Sequence, residues 1–449
     1  MAVQETAAQP APTDTAALLR SRSYVGLLAL AALLGAPISA VAYGFLALVD
    51  RLQKWIFTDL PTSLGFQSEP VWWPVPLLAV AGLLVALTIR YLPGTGGHPP
   101  AEGFKAGGAP TPSQLPGVIL AALATLSLGA VLGPEAPLIA LGGGLGAWVV
   151  RLSRREVPPQ AALVLGAAGS FAAVSTLLGS PILGAFLLME ASGLGGPTLG
   201  LVLLPGLVAA GIGSLIFVGL DQWTGLGTFS LAIPDLPAYG QPDVAQFGWA
   251  LAIGVAAALL GTGIRRLALS GQGQVVRRRL LVTPVLGLVV AGLAIVYAEW
   301  ADKSTSEVLF SGQSALGPLI QHSADYSVGA LMLLVACKGL AYAASLSGFR
   351  GGPVFPAMFV GAAGGIALSH LPGLPLVAGV AMGIGAMCAV MLRLPLTSVM
   401  LATLLLFSDG LAVMPLVIVA VAVAYVVSAR LAPTLAPSQP SEAGALVPP

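Results

Sequence analysis

Apolar runs recur along this chain at 24–49, 72–92, 115–133, 135–150, 161–178, 181–191, 198–219, 245–263, 280–298, 327–346, 354–369, 373–392, 395–407 and 411–428, and they leave it one solvent to fold in. With 57% hydrophobic and 8% charged residues among 449, and a mean hydropathy of +0.93, they cannot all pack inside a water-soluble core. In hydrocarbon every backbone N–H and C=O must be satisfied within the protein, so runs of this length form helices. The expected fold is an all-α polytopic membrane protein in the lipid bilayer of the cell membrane. Several runs fall well short of the ~20 residues that cross hydrocarbon. Helices that short must stop partway or meet end to end, which is tolerated where their ends line a cavity or lie buried in protein.

Charge narrows the function. A net charge of +1 argues against a nucleic-acid partner, and the basic residues gather by loop instead. Arg20 and Arg22 precede the first run, Arg90 and Lys105 flank 93–114, Arg151, Arg154 and Arg155 follow 135–150, and five arginines occupy 265–279. Placing these loops in the cytoplasm follows the positive-inside tendency and puts both termini there, with Arg51 and Lys54 the main exceptions. The expected organisation is a disordered cytoplasmic tail over 1–22, a first membrane half over 23–263, a basic cytoplasmic linker over 264–280, a second half over 281–431 and a disordered tail over 432–449. Three histidines and two cysteines in apolar runs, Cys337 and Cys388, supply neither a nucleophile–base pair nor metal ligands, so no enzyme, metal or cofactor is expected. A cation transporter would carry several acidic residues in its helices.

Within Gly133–Gly146, GPEAPLIALGGGLG, one carboxylate, Glu135, stands between two prolines at the start of a glycine-rich apolar helix. An ionisable group at membrane depth is costly enough to imply a task. A helix start stabilises a carboxylate by its dipole and free amides, and the same amides can hold an anion. Both uses of this site are open at this level.

The chain also repeats. Gly352-Pro353-Val354-Phe355-Pro356 lies 219 residues after Gly133-Pro134-Glu135-Ala136-Pro137, and Gly169 with Pro181 corresponds to Gly383 with Pro395. Matching broken helices in two halves point to an ion site near the midplane, at the repeat interface.

By these motifs residues 24–428 resemble the CLC family of chloride channels and chloride/proton antiporters. The family's Gly-Ser-Gly-Ile-Pro turn resembles Thr95-Gly96-Gly97-His98-Pro99, its Gly-Arg-Glu-Gly-Pro resembles 133–137, and its Gly-Gly-Ile-Phe-x-Pro resembles Gly351–Pro356. The resemblance implies a homodimer of antiparallel inverted repeats with one anion path per subunit. It makes Glu135 the gate, competing with chloride for the outermost position and swinging aside when protonated. Thr95, Gly96, Gly97, His98, Gly133, Ala136, Gly352, Val354 and Phe355 would surround the anion. Small residues let the backbone approach the ion.

Departures from the family pattern define what is open. Gly96 stands where the family has its central serine, with Thr95 one residue out of register, and Pro353 removes one amide. The antiporters' inner glutamate falls on Ala191, and Glu190, one residue earlier, either relays protons from another face or is a helix-end carboxylate. No tyrosine follows 430 to match the family's central one. The expected function is therefore transport of chloride or a similar small anion, channel-like or loosely coupled to protons. A chloride/proton antiporter with a non-standard inner route and a fluoride/proton antiporter are the alternatives. Lys338 faces the path, snorkels to an interface or pairs internally, Arg393 is expected to cap a loop, and His98 is either a pH sensor or polar surface.

Overall fold

The structure is a computed structural model that describes residues 20–104, 109–152, 159–193, 196–231, 233, 236–406 and 410–431. Most of the expected 1–22 tail, the whole 432–449 tail, Lys105, Arg154 and Arg155 lie outside the described residues.

The first half runs α1 (Arg22–Lys54), α2 (Pro74–Tyr91), α3 (Leu115–Ser127), α4 (Glu135–Leu152), α5 (Pro159–Ala173), α6 (Pro181–Ser192) and α7 (Gly196–Thr224). A long α8 (Val244–Ala301) leads to α9 (Gln313–Gln321), α10 (Val328–Gly348), α11 (Val354–Ser369), α12 (Leu376–Leu392), α13 (Pro395–Leu405) and α14 (Gly410–Leu431). Six of the described helical stretches are long and apolar enough to cross a membrane. Others, such as α3, α6 and α13 with 13, 12 and 11 residues, are too short to do so alone. Large side chains such as Leu33, Leu215 and Leu411 are exposed, as a lipid-facing surface requires.

The four-helix series α4–α7 is repeated as α11–α14. In the first copy, a Cβ on Gly142 of α4 would run into the backbone of Gly169 on α5 and the Ala173 side chain. In the second, a Cβ on Gly361 of α11 would meet the Gly383 carbonyl carbon at 2.7 Å and the Ile384 Cα at 3.0 Å on α12. Glycine at both crossings lets the backbones touch, the usual way helices pack where solvent provides no hydrophobic drive. Gly361→Val is expected to force α11 and α12 apart at a cost of about 1–3 kcal/mol, read as a lower melting temperature in detergent.

The two copies differ in exposure. Nearly every residue of α12 and most of α11 is buried, whereas α4 leaves Ala136, Ile139 and Ala140 partly open. The basic stretch 264–280 is helical throughout and lies inside α8, with a single break at Arg278 (φ −139°, ψ 52°). Leu, Arg and Gln favour helix there, and Pro284, six residues further on, has no N–H to give the Leu280 carbonyl. On the other side of this bend α2 lies so close that a Cβ on Gly82 would be 2.6 Å from the Pro284 Cα.

Candidate functional site

The starts of α4 and α11 face each other across the repeat axis. The Gly133 N–H donates to the Gly352 carbonyl at 2.8 Å and the Gly352 N–H returns to the Gly133 carbonyl at 2.7 Å, an isolated antiparallel bridge between the two equivalent turns. Broken helices leave their first amides without intrahelical partners, and here one of those amides meets the carboxylate.

Glu135, the first residue of α4, is fully buried. Its Oε1 accepts a hydrogen bond from the Val354 N–H at the start of α11. The N–H groups of Glu135 itself and of Phe355 lie against the same carboxylate. Oε2 is buried without a hydrogen-bond partner among the described residues. A Cβ on Gly133 would lie 2.8 Å from the Glu135 Cδ, and one on Gly352 would overlap the carboxyl group. Both glycines are therefore required by the space this side chain occupies. Pro353, which has no amide to offer, is the N-cap of α11, and its carbonyl accepts the Tyr342 hydroxyl at 2.7 Å.

The turn after α2 is left-handed through four consecutive residues: Gly94 (φ 83°), Thr95 (50°), Gly96 (67°) and Gly97 (97°). Three glycines carry this at little steric cost, and Thr95 is the exception. The Gly97 N–H is used inside the turn, on the Gly94 carbonyl at 2.9 Å. The turn forms one wall of a cavity of about 780 Å³ that also reaches Ala136 and Pro137, next to Glu135, and Gly351 and Pro353 of the opposite turn. Of the residues expected around the anion, Thr95–His98 and Ala136 line this cavity, while Val354 and Phe355 lie at the carboxylate.

The remaining expected residues are placed elsewhere. Glu190 accepts from the N–H groups of Leu396 (3.0 Å) and Thr397 (2.7 Å) and from the Thr397 hydroxyl (2.6 Å), so it caps α13. A carboxylate at a helix start is favoured by the free amides and the dipole. Glu190→Ala is expected to cost about 1 kcal/mol of stability and to leave proton-to-anion stoichiometry unchanged, as liposome flux with pH recording would show. Fully buried Lys338 donates to the carbonyls of Glu307 (2.8 Å), Val308 (3.1 Å) and Leu309 (3.0 Å) and sits 4.3 Å over the Phe359 ring. Its three protons are consumed by backbone. Arg393 is the left-handed C-cap of α12 (φ 59°), and His98 Nε2 stands 4.0 Å from Glu102 Oε2.

Two buried polar residues here escaped the sequence reading. Tyr342 on α10 is fully buried and within electrostatic range of Glu135. Its sequence cue is the string of small residues around it, Ala341, Ala343, Ala344 and Ser345, which makes room for a ring. Arg350 immediately precedes the third motif, a charge visible in Ser-Gly-Phe-Arg-Gly-Gly. It is 6% exposed and lines the cavity.

Comparison with known proteins places this geometry. The family described as voltage gated chloride channel matches residues 81–429. "Putative ion-transport protein YfeO" of Salmonella newport (strain SL254) is 30% identical over 363 residues, spanning 79% of this chain and 84% of its own. Among solved structures, a slow cyanobacterial Cl−/H+ antiporter superposes with a TM-score of 0.70 at 18% identity, over 90% of this chain and 94% of that one. A CLC-type fluoride/proton antiporter gives 0.66 at 18% identity, over 89% and 95%. At that identity the likeness is one of fold.

Proposed function

Because the chain belongs to the voltage-gated chloride channel family, whose members move anions and are not enzymes, we propose that it carries chloride or a similar small anion between the starts of α4 and α11, with Glu135 as the gate. The observation that carries this reading is the hydrogen bond from the Val354 N–H to Glu135 Oε1. A carboxylate seated on a helix-start amide is a tethered anion, and what it occupies a free anion can occupy. Ionised, it is attracted to the amides and blocks the way. Protonated, it loses most of that attraction and yields to a mobile ion.

The path is channel-like or loosely coupled. Glu190 is engaged as a helix cap, and Ala191 at the antiporters' position cannot carry a proton. One observation favours proton coupling as a second reading: the buried Tyr342 hydroxyl, bonded to the α11 start, is a proton-bearing group beside the gate. Fluoride as the ion is a variant of that reading, suggested by the fluoride/proton antiporter of the same fold. The chain forms a homodimer in the cell membrane with both termini cytoplasmic. The halves 23–263 and 281–431 are joined by the basic segment 264–280 on the cytoplasmic side.

The test is anion efflux from liposomes holding the purified protein, with external pH recorded and voltage set by a potassium ionophore. Chloride efflux without proton movement supports the channel-like path. Proton uptake in fixed proportion to chloride, or to fluoride in its place, establishes the antiporter readings instead. No efflux of either ion overturns the assignment.

A further inference from the structure

From the geometry of the cavity wall we infer that Arg350 is an anion-binding residue: a fixed guanidinium that holds a small inorganic anion on the cavity side of the gate, in the place left without a hydroxyl by Gly96. The inference rests on the proposed anion path and adds a specific binding group to it.

The side chain is buried, 6% exposed, yet it forms part of the wall of a cavity that reaches Ala136, the residue after the gate. It is held firmly. Its backbone N–H donates to the Thr125 hydroxyl at 3.2 Å, its Nε to the Thr95 carbonyl at 3.1 Å and its Nη1 to the Phe349 carbonyl at 3.1 Å. Nη2 has no hydrogen-bond partner among the described residues, and no carboxylate there makes an ion pair with this arginine. Glu102 is within electrostatic range, but its carboxylate already faces His98 and Gln272. A buried, immobilised cation with an unused donor toward a cavity is costly unless something negative visits it.

Its position relative to the left-handed turn identifies the visitor. A Cβ on Gly96 would touch the Arg350 Cγ at 3.4 Å, so the arginine stem runs where a side chain at 96 would begin. The second half of the chain thereby supplies a donor that the first half's turn lacks. A guanidinium is weakly hydrated and charged at every physiological pH, so it takes an anion without taking up a proton. Arg350 therefore sets affinity, and Glu135 sets the response to pH.

The experiment measures the chloride dependence of flux in liposomes for the wild type, Arg350→Gln, Arg350→Lys and Glu135→Gln. Arg350→Gln is expected to raise the half-saturating chloride concentration about tenfold, the scale of losing a hydrogen bond to a charged group, while keeping the wild-type pH profile. Arg350→Lys, which keeps the charge but not the fork, is expected to raise it about threefold. A half-saturation equal to the wild type, or a fall in maximal rate alone, would show that Arg350 only pins Thr95 and would overturn the inference. Should Arg350→Gln fail to fold, Arg350→Lys decides by the same criterion. If the wild type moves no chloride, the proposed path is wrong, and calorimetric titration of chloride into purified wild type and Arg350→Lys tests the binding site by itself: weaker binding in the variant supports it, equal binding overturns it.

Discussion

Glu135→Gln is expected to conduct anions at a rate that no longer follows pH. Glutamine keeps the length of the side chain and an acceptor oxygen for the Val354 N–H, so the α4 and α11 starts retain their packing. It cannot ionise, and it lacks the charge that holds the wild-type side chain on the α11 amides. An ionising group changes from about 90% to about 10% protonated over two pH units, so wild-type flux is expected to change about tenfold across the gate's titration while that of the variant stays within about twofold. The sign follows from the geometry: flux rises as pH falls, because the protonated side chain is the one that yields. Flux through the variant that kept the wild-type pH profile would remove Glu135 from the gating role.

Lys338→Met has the other large expected effect, and it is on folding. The ammonium is the shared donor for the carbonyls of Glu307, Val308 and Leu309. Methionine fills the same volume against Phe359 but donates nothing, stranding three acceptors of which those of Val308 and Leu309 are buried. Each stranded buried acceptor costs about 1–3 kcal/mol, offset in part because a charge need no longer be buried, for a net loss of about 3 kcal/mol. The measurement is thermal unfolding in detergent beside flux per folded protein. A large drop in melting temperature with unchanged chloride affinity is expected. Wild-type stability with altered affinity would place Lys338 in the anion path.

The parts of the molecule set by local sequence were readable in advance. The offset of 219 between the two proline-rich turns is the separation of the groups that meet, Val354 and Glu135. The short apolar runs are the short helices α6 and α13. Arg393, expected to cap a loop, is the residue that ends α12 in a left-handed backbone. What the sequence left open depended on partners distant in the chain. Glu190 is given its use by α13, 206 and 207 residues on, and Lys338 by a loop some 30 residues back. Arg350 could be seen but not interpreted, since its value comes from the Thr95 carbonyl 255 residues away. Tyr342 is of the same kind, since α10 brings its hydroxyl in sideways to the Pro353 carbonyl rather than from a helix beyond 430.

The reciprocal bond between Gly133 and Gly352 acts as a weld at the waist of the molecule. A carrier that works by rocking one half against the other needs a seam there that can slide. Opening this seam would strand two donors and two acceptors among buried residues. Rocking one half against the other would have to break both bonds at once, whereas the anion passage proposed for this chain asks only that side chains swing around a stationary frame.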